Sequence, residues 1–343
     1  MAAIERDVQT TDDTTKYDLA WYQRLLVSMI KYGPIPQHIA FIMDGNRRYA
    51  RDLSERVITG QFRVSGDFMA AIERDVQTTD DTTKYDLAWY QRLLVSMIKY
   101  GPIPQHIAFI MDGNRRYARD LSERVITGHM EGFETLISVL SWAKELGIKE
   151  ITVYAFSIEN FSRPREEVEG LLDLARCKIP LVLRESHHLQ RLGVRIRLLG
   201  KKELIAEDLR TQFELLEKST EANRGSVLNI CFAYTSTQEI CDAVNKVDKN
   251  EALTRDNIER ELYTKNCLPL DLLIRTSGEV RLSDFLLWQA QFTCLCFSTP
   301  YWPKFSLWDF CGAIRYYQTY YPQIQKTQQL VQQSNHAVNE MQR

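Results

Sequence analysis

Between residues 101 and 322, short apolar runs alternate with stretches whose apolar residues recur at helical spacing. The runs at 106–111, 150–156, 194–199, 227–233, 271–275 and 292–298 are mostly continuous, as strands buried on both faces are. Helical patterns occupy 130–146, 165–192, 203–222, 236–247, 255–263 and 307–320. This alternation predicts an α/β domain with a mostly parallel six-stranded sheet flanked by helices. Pro180 falls inside the longest helical pattern and is expected to kink it. Upstream, residues 85–100 place Leu87, Tyr90, Leu94, Met97 and Ile98 on one helical face, with Arg92 and Lys99 available to the other. GPIP at 101–104 ends that helix.

The chain carries an internal duplication. Residues 1–60 and 69–128 are identical, joined by residues 61–68. Repeat folds use several diverged units, so two identical copies do not suggest one. Only the second copy continues into an amphipathic pattern, HMEGFETLISVLSWAKELGI from His129 on; the first runs into QFRVSGDF. The expected organisation is therefore a duplicated fragment at 1–68 without its own fold and a polar segment with one amphipathic helix at 69–100. A main domain at 101–322 and a glutamine-rich tail at 323–343, read as a frayed helix, follow.

Charge and cysteine usage narrow the function. A net charge of −2 makes the whole chain a poor polyanion binder, which argues against nucleic acid. Any phosphate affinity must come from local arginines. The seven cysteines form no CxxC pair and are odd in number, which fits free thiols in a reducing compartment. No apolar stretch opens the chain as in a secretory leader, and no apolar run reaches 18 residues. The main domain is expected to face the cytosol.

Three segments are candidates for chemistry. In IAFIMDGNRR, an apolar strand ends at Asp112, and Gly113 allows close backbone approach. Asn114, Arg115 and Arg116 then fall where a helix begins, a favourable phosphate cradle. A strand-to-helix turn with surface arginines is an equal reading. In FSIENFSRPREEV, residues Ser157, Glu159, Asn160 and Arg163 follow a second strand, where ligands of open α/β sheets bind; a helix entry capped by Ser162 competes with that. In DLLIRTSGEVRLSDFLLWQ, Arg275 and Arg281 flank a glycine turn near Ser277 and Ser283, which otherwise reads as a polar loop. All three would converge on one sheet edge. No GxxxxGK[ST], GxGxxG or GxSxG motif is present, nor His/Cys zinc spacing. Asp80-Asp81 is not a DDxxD motif, and His187-His188 reads as solvated surface.

Taken together, these blocks resemble the cis-prenyltransferase (undecaprenyl diphosphate synthase) family, and within it the eukaryotic dehydrodolichyl diphosphate synthase catalytic subunits. HIAFIMDGNRRYA, the glycine-histidine pair 128–129, EITVYAFSIENFSRPREEV, LNICFAYTS and DLLIRTSGEVRLSDFLLWQ occur in family order over about 101–320. The resemblance implies a hydrophobic tunnel and Mg²⁺-dependent addition of isopentenyl diphosphate to farnesyl diphosphate. A long dehydrodolichyl diphosphate, used for dolichol and protein glycosylation, would result. It assigns Asp112 to Mg²⁺ and catalysis. Gly113, Asn114, Arg115, Arg116 and Arg163 go to the allylic diphosphate, and Arg275, Arg281 and Ser283 to that of isopentenyl diphosphate. His129 and Asn160 match positions for phosphate contact and for positioning or proton removal, and Phe156, Ser157 and Phe161 would line the site. The helices at 130–146 and 165–192 would wall the tunnel.

Two departures from the homodimeric bacterial pattern matter. Cys294 stands where those members carry a metal-binding glutamate, and the chain ends without their RxG motif. The resemblance therefore implies a Nogo-B-receptor-like partner subunit, weak activity alone, and a peripheral position on the cytosolic face of the endoplasmic reticulum. A non-catalytic scaffold subunit of the same fold is the alternative; such subunits usually lack the Asp-Gly-Asn-Arg-Arg run. The helix at 85–100 is open to membrane contact, core packing or covering the tunnel mouth.

Overall fold

The computed structural model describes residues 87–184 and 193–341, with side chains omitted for 181–184 and 332–341. The expectations for residues 1–86 and for His187-His188 lie outside these. Six strands form one sheet: β1 (His106–Ile110), β2 (Glu150–Ser157), β3 (Arg195–Leu199), β4 (Val227–Tyr234), β5 (Leu272–Arg275) and β6 (Cys294–Phe297). All pairings are parallel, in the order β3-β4-β2-β1-β5-β6.

The helices are α1 (Trp89–Ile98), α2 (Asn114–Asp120), α3 (Val125–Leu146), α4 (Arg165–Arg184), α5 (Glu207–Thr220), α6 (Ser236–Lys246), α7 (Arg255–Glu259) and α8 (Leu307–Met341). Successive residues of β1 serve opposite faces of the sheet. Phe109 packs on Trp302, Phe305 and Phe310, with ring centroids 5.5, 5.9 and 6.0 Å away. Ala108 and Ile110 belong instead to a cluster with Tyr234, Leu273 and Phe285. Both faces are covered, which is why the strands read as continuous apolar runs.

Two helices run beyond the sequence expectation. α3 begins at Val125, because Gly128 and Gly132 are packing residues rather than breaks. A Cβ on Gly128 would lie 2.2 Å from the Asn114 carbonyl oxygen, so the missing side chain lets α2 rest on α3. α8 continues past the 307–320 pattern through Pro322 to Met341, over the tail that was expected to be a frayed helix. Leu87, two residues before α1, and Leu94 and Ile98 within it are buried and match the predicted face, and Val95 joins them.

Candidate active site

Parallel register brings the three polar loops together. β1 lies between β2 and β5, and Ile110 pairs with Arg275. Asp112, two residues past β1, thus meets the end of β5. Its carboxylate accepts a hydrogen bond from Arg275 at 2.9 Å and one from the Gly113 N–H at 2.7 Å. Its backbone is clamped as well: the carbonyl accepts from Thr276 Oγ1 at 2.8 Å and from the Trp302 N–H at 2.9 Å. Gly113 has φ 102°, a conformation few other residues adopt, and a Cβ there would press on Tyr301.

Arg275 organises the third loop. Its side chain is only 4% exposed. One terminal nitrogen donates to the Arg281 carbonyl and, at 2.8 Å, to Ser283 Oγ, while the other donates to Asp112. Ser277, Ser283, Asp284 and Leu286 all have positive φ. Such backbone persists only where its surroundings fix it. Asp284 supplies part of that hold, its carboxylate accepting from the Thr237 N–H and hydroxyl, both at 3.0 Å. The Arg275 Nε is buried and has no hydrogen-bond partner among the described residues.

The remaining arginines are held by carboxylates. Arg116 lies 3.0 Å from Glu279 and donates to Ser277, and Glu279 also pairs with Arg281. Glu167 accepts from Arg163 at 2.9 Å and lies 3.6 Å from Arg115. Pairs this exposed add little stability, but they fix the direction of each guanidinium. Burial raises the pKa of Asp112, and the hydrogen bonds from Arg275 and Gly113 with the charges of Arg275 and Arg116 outweigh it. The carboxylate stays ionised. His129 goes the other way: burial first, then the charge of Arg163, lowers it to about 4. Its imidazole is neutral near pH 7, and its buried Nε2 has no partner among the described residues.

Thirteen of the fourteen predicted site residues line one cavity of about 1190 Å³: Asp112, Gly113, Asn114, Arg115, Arg116, His129, Phe156, Ser157, Asn160, Arg163, Arg275, Arg281 and Ser283. Phe161 is the correction. It does not line the cavity; its ring, 37% exposed, packs edge-on against Phe156 at 4.9 Å. Phe161 sits in the short 3₁₀ turn Ile158–Ser162 that follows β2. In the same turn, Asn160 Oδ1 accepts the Ser157 N–H at 3.1 Å and Ser157 Oγ accepts the Asn160 N–H at 3.2 Å. Glu167, Thr276 and Glu279 were not singled out from sequence. Only Glu167 carried a signal, its four-residue spacing from Arg163.

Beyond the polar mouth the walls are apolar apart from Lys178. Leu136, Ile137 and Leu140 of α3 and Leu171 and Leu174 of α4 wall it, with Val153, Ile230 and other sheet residues as floor. The two helices expected to form the tunnel do so.

Cys294 stands apart from this site. It is the first residue of β6 and pairs with Leu272, whereas Phe297 pairs with Arg275. That is about 10 Å from the ligand-binding edge at the strand rise of about 3.3 Å. Burial raises its thiol to about 11, so it is not a thiolate near pH 7.

An arginine-lined mouth above a long, mostly apolar cavity suits an enzyme that transfers prenyl groups. The comparisons with known proteins agree. The undecaprenyl diphosphate synthase family model (Prenyltransf) matches residues 110–324, and the chain belongs to this family of cis-prenyltransferases. It is 44% identical over 257 residues to the dehydrodolichyl diphosphate synthase complex subunit of Mus musculus, covering 71% of this chain and 76% of that one. An isoprenyl transferase of Thermus thermophilus is 40% identical over 245 residues, covering 68% and 93%. Among solved structures, lavandulyl diphosphate synthase from Lavandula x intermedia in complex with dimethylallyl diphosphate superposes with a TM-score of 0.57. It is 29% identical, over 63% of this chain and 95% of that one.

Proposed function

We propose that the chain lengthens farnesyl diphosphate with successive isopentenyl diphosphate units to give a long dehydrodolichyl diphosphate. The observation that carries this reading is the Asp112–Arg275 pair at the head of one apolar cavity. Similarity to dehydrodolichyl diphosphate synthase subunits over 71% of the chain supports the product class, and with it a role in dolichol supply and protein glycosylation.

In each cycle the C1–O bond of the allylic diphosphate breaks and diphosphate leaves. A C–C bond forms to the double bond of isopentenyl diphosphate, and C2 of that unit loses a proton. Arg115, Arg116 and Arg163, with Gly113 and Asn114, hold the allylic diphosphate. Arg275, Arg281 and Ser283 hold that of isopentenyl diphosphate, and the unpartnered Arg275 Nε supplies a further donor. Guanidiniums fixed in advance stabilise the charge that develops on the leaving group. Neutral His129 acts as a hydrogen-bond partner to phosphate. Asn160, its side chain committed to Ser157, positions the second loop rather than taking the proton.

Mg²⁺ fits the donor set. The ion is commonly bound through one or two carboxylates plus substrate phosphates. Asp112 offers one such carboxylate beside the arginines, and no group of three His, Cys, Asp or Glu gathers among the described residues. Asp112 would hold it, and bound there it would neutralise diphosphate charge.

Partner dependence and location belong to the same proposal. β6 is a sheet edge, with Phe297 nearby exposed and Tyr316 and Tyr320 exposed on α8, a surface suited to a Nogo-B-receptor-like subunit. Trp89, Leu93 and Tyr100 are exposed with Arg92 and Lys99, a mixture suited to anionic membrane surfaces such as the cytosolic face of the endoplasmic reticulum. The test is a Mg²⁺-dependent assay with farnesyl diphosphate and labelled isopentenyl diphosphate. Long labelled products are expected; their absence in the presence of the partner would overturn the reading.

A further inference from the structure

Past Glu167 at the mouth, the cavity-lining residues of α4 are Leu171, Leu174, Ala175, Lys178 and Ile179. Lys178 is the one charged residue among them. It lies eleven residues beyond Glu167 in sequence, about 16 Å along the helix. Its Nζ sits 4.7 Å from the centre of the Phe133 ring and 3.9 Å from a Glu134 carboxylate oxygen, both on α3. The Lys178 side chain keeps 18% exposure, and Glu134 keeps 40%. Phe133 lines the cavity, so the ammonium closes the gap between the two tunnel helices over a wall residue.

A prenyl tail shorter than this depth touches only apolar wall, and each added unit gains burial. A tail that reaches Lys178 strips the remaining water from an ammonium and offers it no hydrogen bond or charge in return. It must also compete for the Phe133 face, which the cation already occupies. Growth that was favourable at every earlier step is opposed here.

We propose that Lys178, held by Phe133 and Glu134, is a length-determining residue: its charge sets the depth at which elongation slows. This rests on the chain-elongating reading above and adds to it a determinant of product size. The cavity alone does not set that limit. At about 1190 Å³ it is only slightly larger than pockets that enclose a drug-sized ligand, so a long product must push past its walls.

The test uses microsomes from cells making the full chain, supplied with farnesyl diphosphate and labelled isopentenyl diphosphate. Products are resolved by chain length at equal label incorporation. Lys178→Met, close in size and uncharged, is expected to shift the distribution to longer chains. Lys178→Arg, which keeps the charge, is expected to retain the original distribution. Glu134→Gln leaves the ammonium less compensated and is expected to shift it to shorter chains. An unchanged distribution in Lys178→Met overturns the inference, as does an equal shift in Lys178→Arg, which would assign the effect to shape. If the unsubstituted chain makes no prenyl product at all, the elongating reading fails along with it.

Discussion

Removing the Asp112 carboxylate takes a counter-charge from buried Arg275, so activity and stability should fall together. Asp112→Ala is expected to lower turnover by about 10³-fold or more in the labelled condensation assay. Asp44→Ala, at the same position in the first copy, is expected to leave it intact. Asp112→Asn should cost about 1–3 kcal/mol in urea unfolding, the penalty for a buried donor left poorly matched. His129 adds a pH dependence. The unfolded imidazole takes a proton near 6.5 and the folded one near about 4. Within that window the unfolded chain binds more protons, so stability rises with pH and is lost as acid is added. His106, also lowered by burial, acts in the same direction. Urea midpoints measured across the window should climb with pH, and His129→Gln should flatten part of the climb. Asp112 and the arginines were legible in the sequence because charge after a strand is a local pattern. The states of His129 and Asp112 were not, because burial and neighbouring loops set them.

At the scale of elements, the strands were read almost to the residue, since a run buried on both faces has a clear signature. Two kinds of feature escaped. The start of α3 was hidden because Gly128 reads locally as a break, whereas its role is close approach to Asn114, set by another helix. The left-handed backbone at Ser283, Asp284 and Leu286 was hidden because non-glycine residues give no sign of it. Arg275 at the end of β5, and Thr237 of α6 through the Asp284 carboxylate, hold it from outside the loop. Glycine offers a paired experiment. Gly128→Ala places a methyl 2.2 Å from a backbone oxygen and should destabilise by about 1–3 kcal/mol. It should also reduce activity, because α2 follows directly from Asp112. Gly170→Ala, within α4 with nothing inside 4 Å of the added carbon, should stabilise by about 0.5–1 kcal/mol. Urea unfolding of both variants checks the pair.

For the whole molecule, the order of strands was not legible. Periodicity says that strands exist, not which are neighbours, and the placement of β1 between β2 and β5 is what builds the site. The purified chain alone is expected to turn over slowly and to be activated when a partner subunit is added; full activity from the isolated chain would show that the site is complete within it. That same placement of β1 has a consequence for synthesis. Asp112 and Arg275 are 163 positions apart. At about 5–20 residues per second, roughly 10–30 seconds pass after Asp112 is made before its partner exists. Through that interval β1 has β2 on one side and an open apolar edge on the other, the kind of edge that recruits foreign strands. The nascent chain is thus most exposed to aggregation, and most in need of a chaperone, while the Asp112 carboxylate is still waiting for the arginine that holds it.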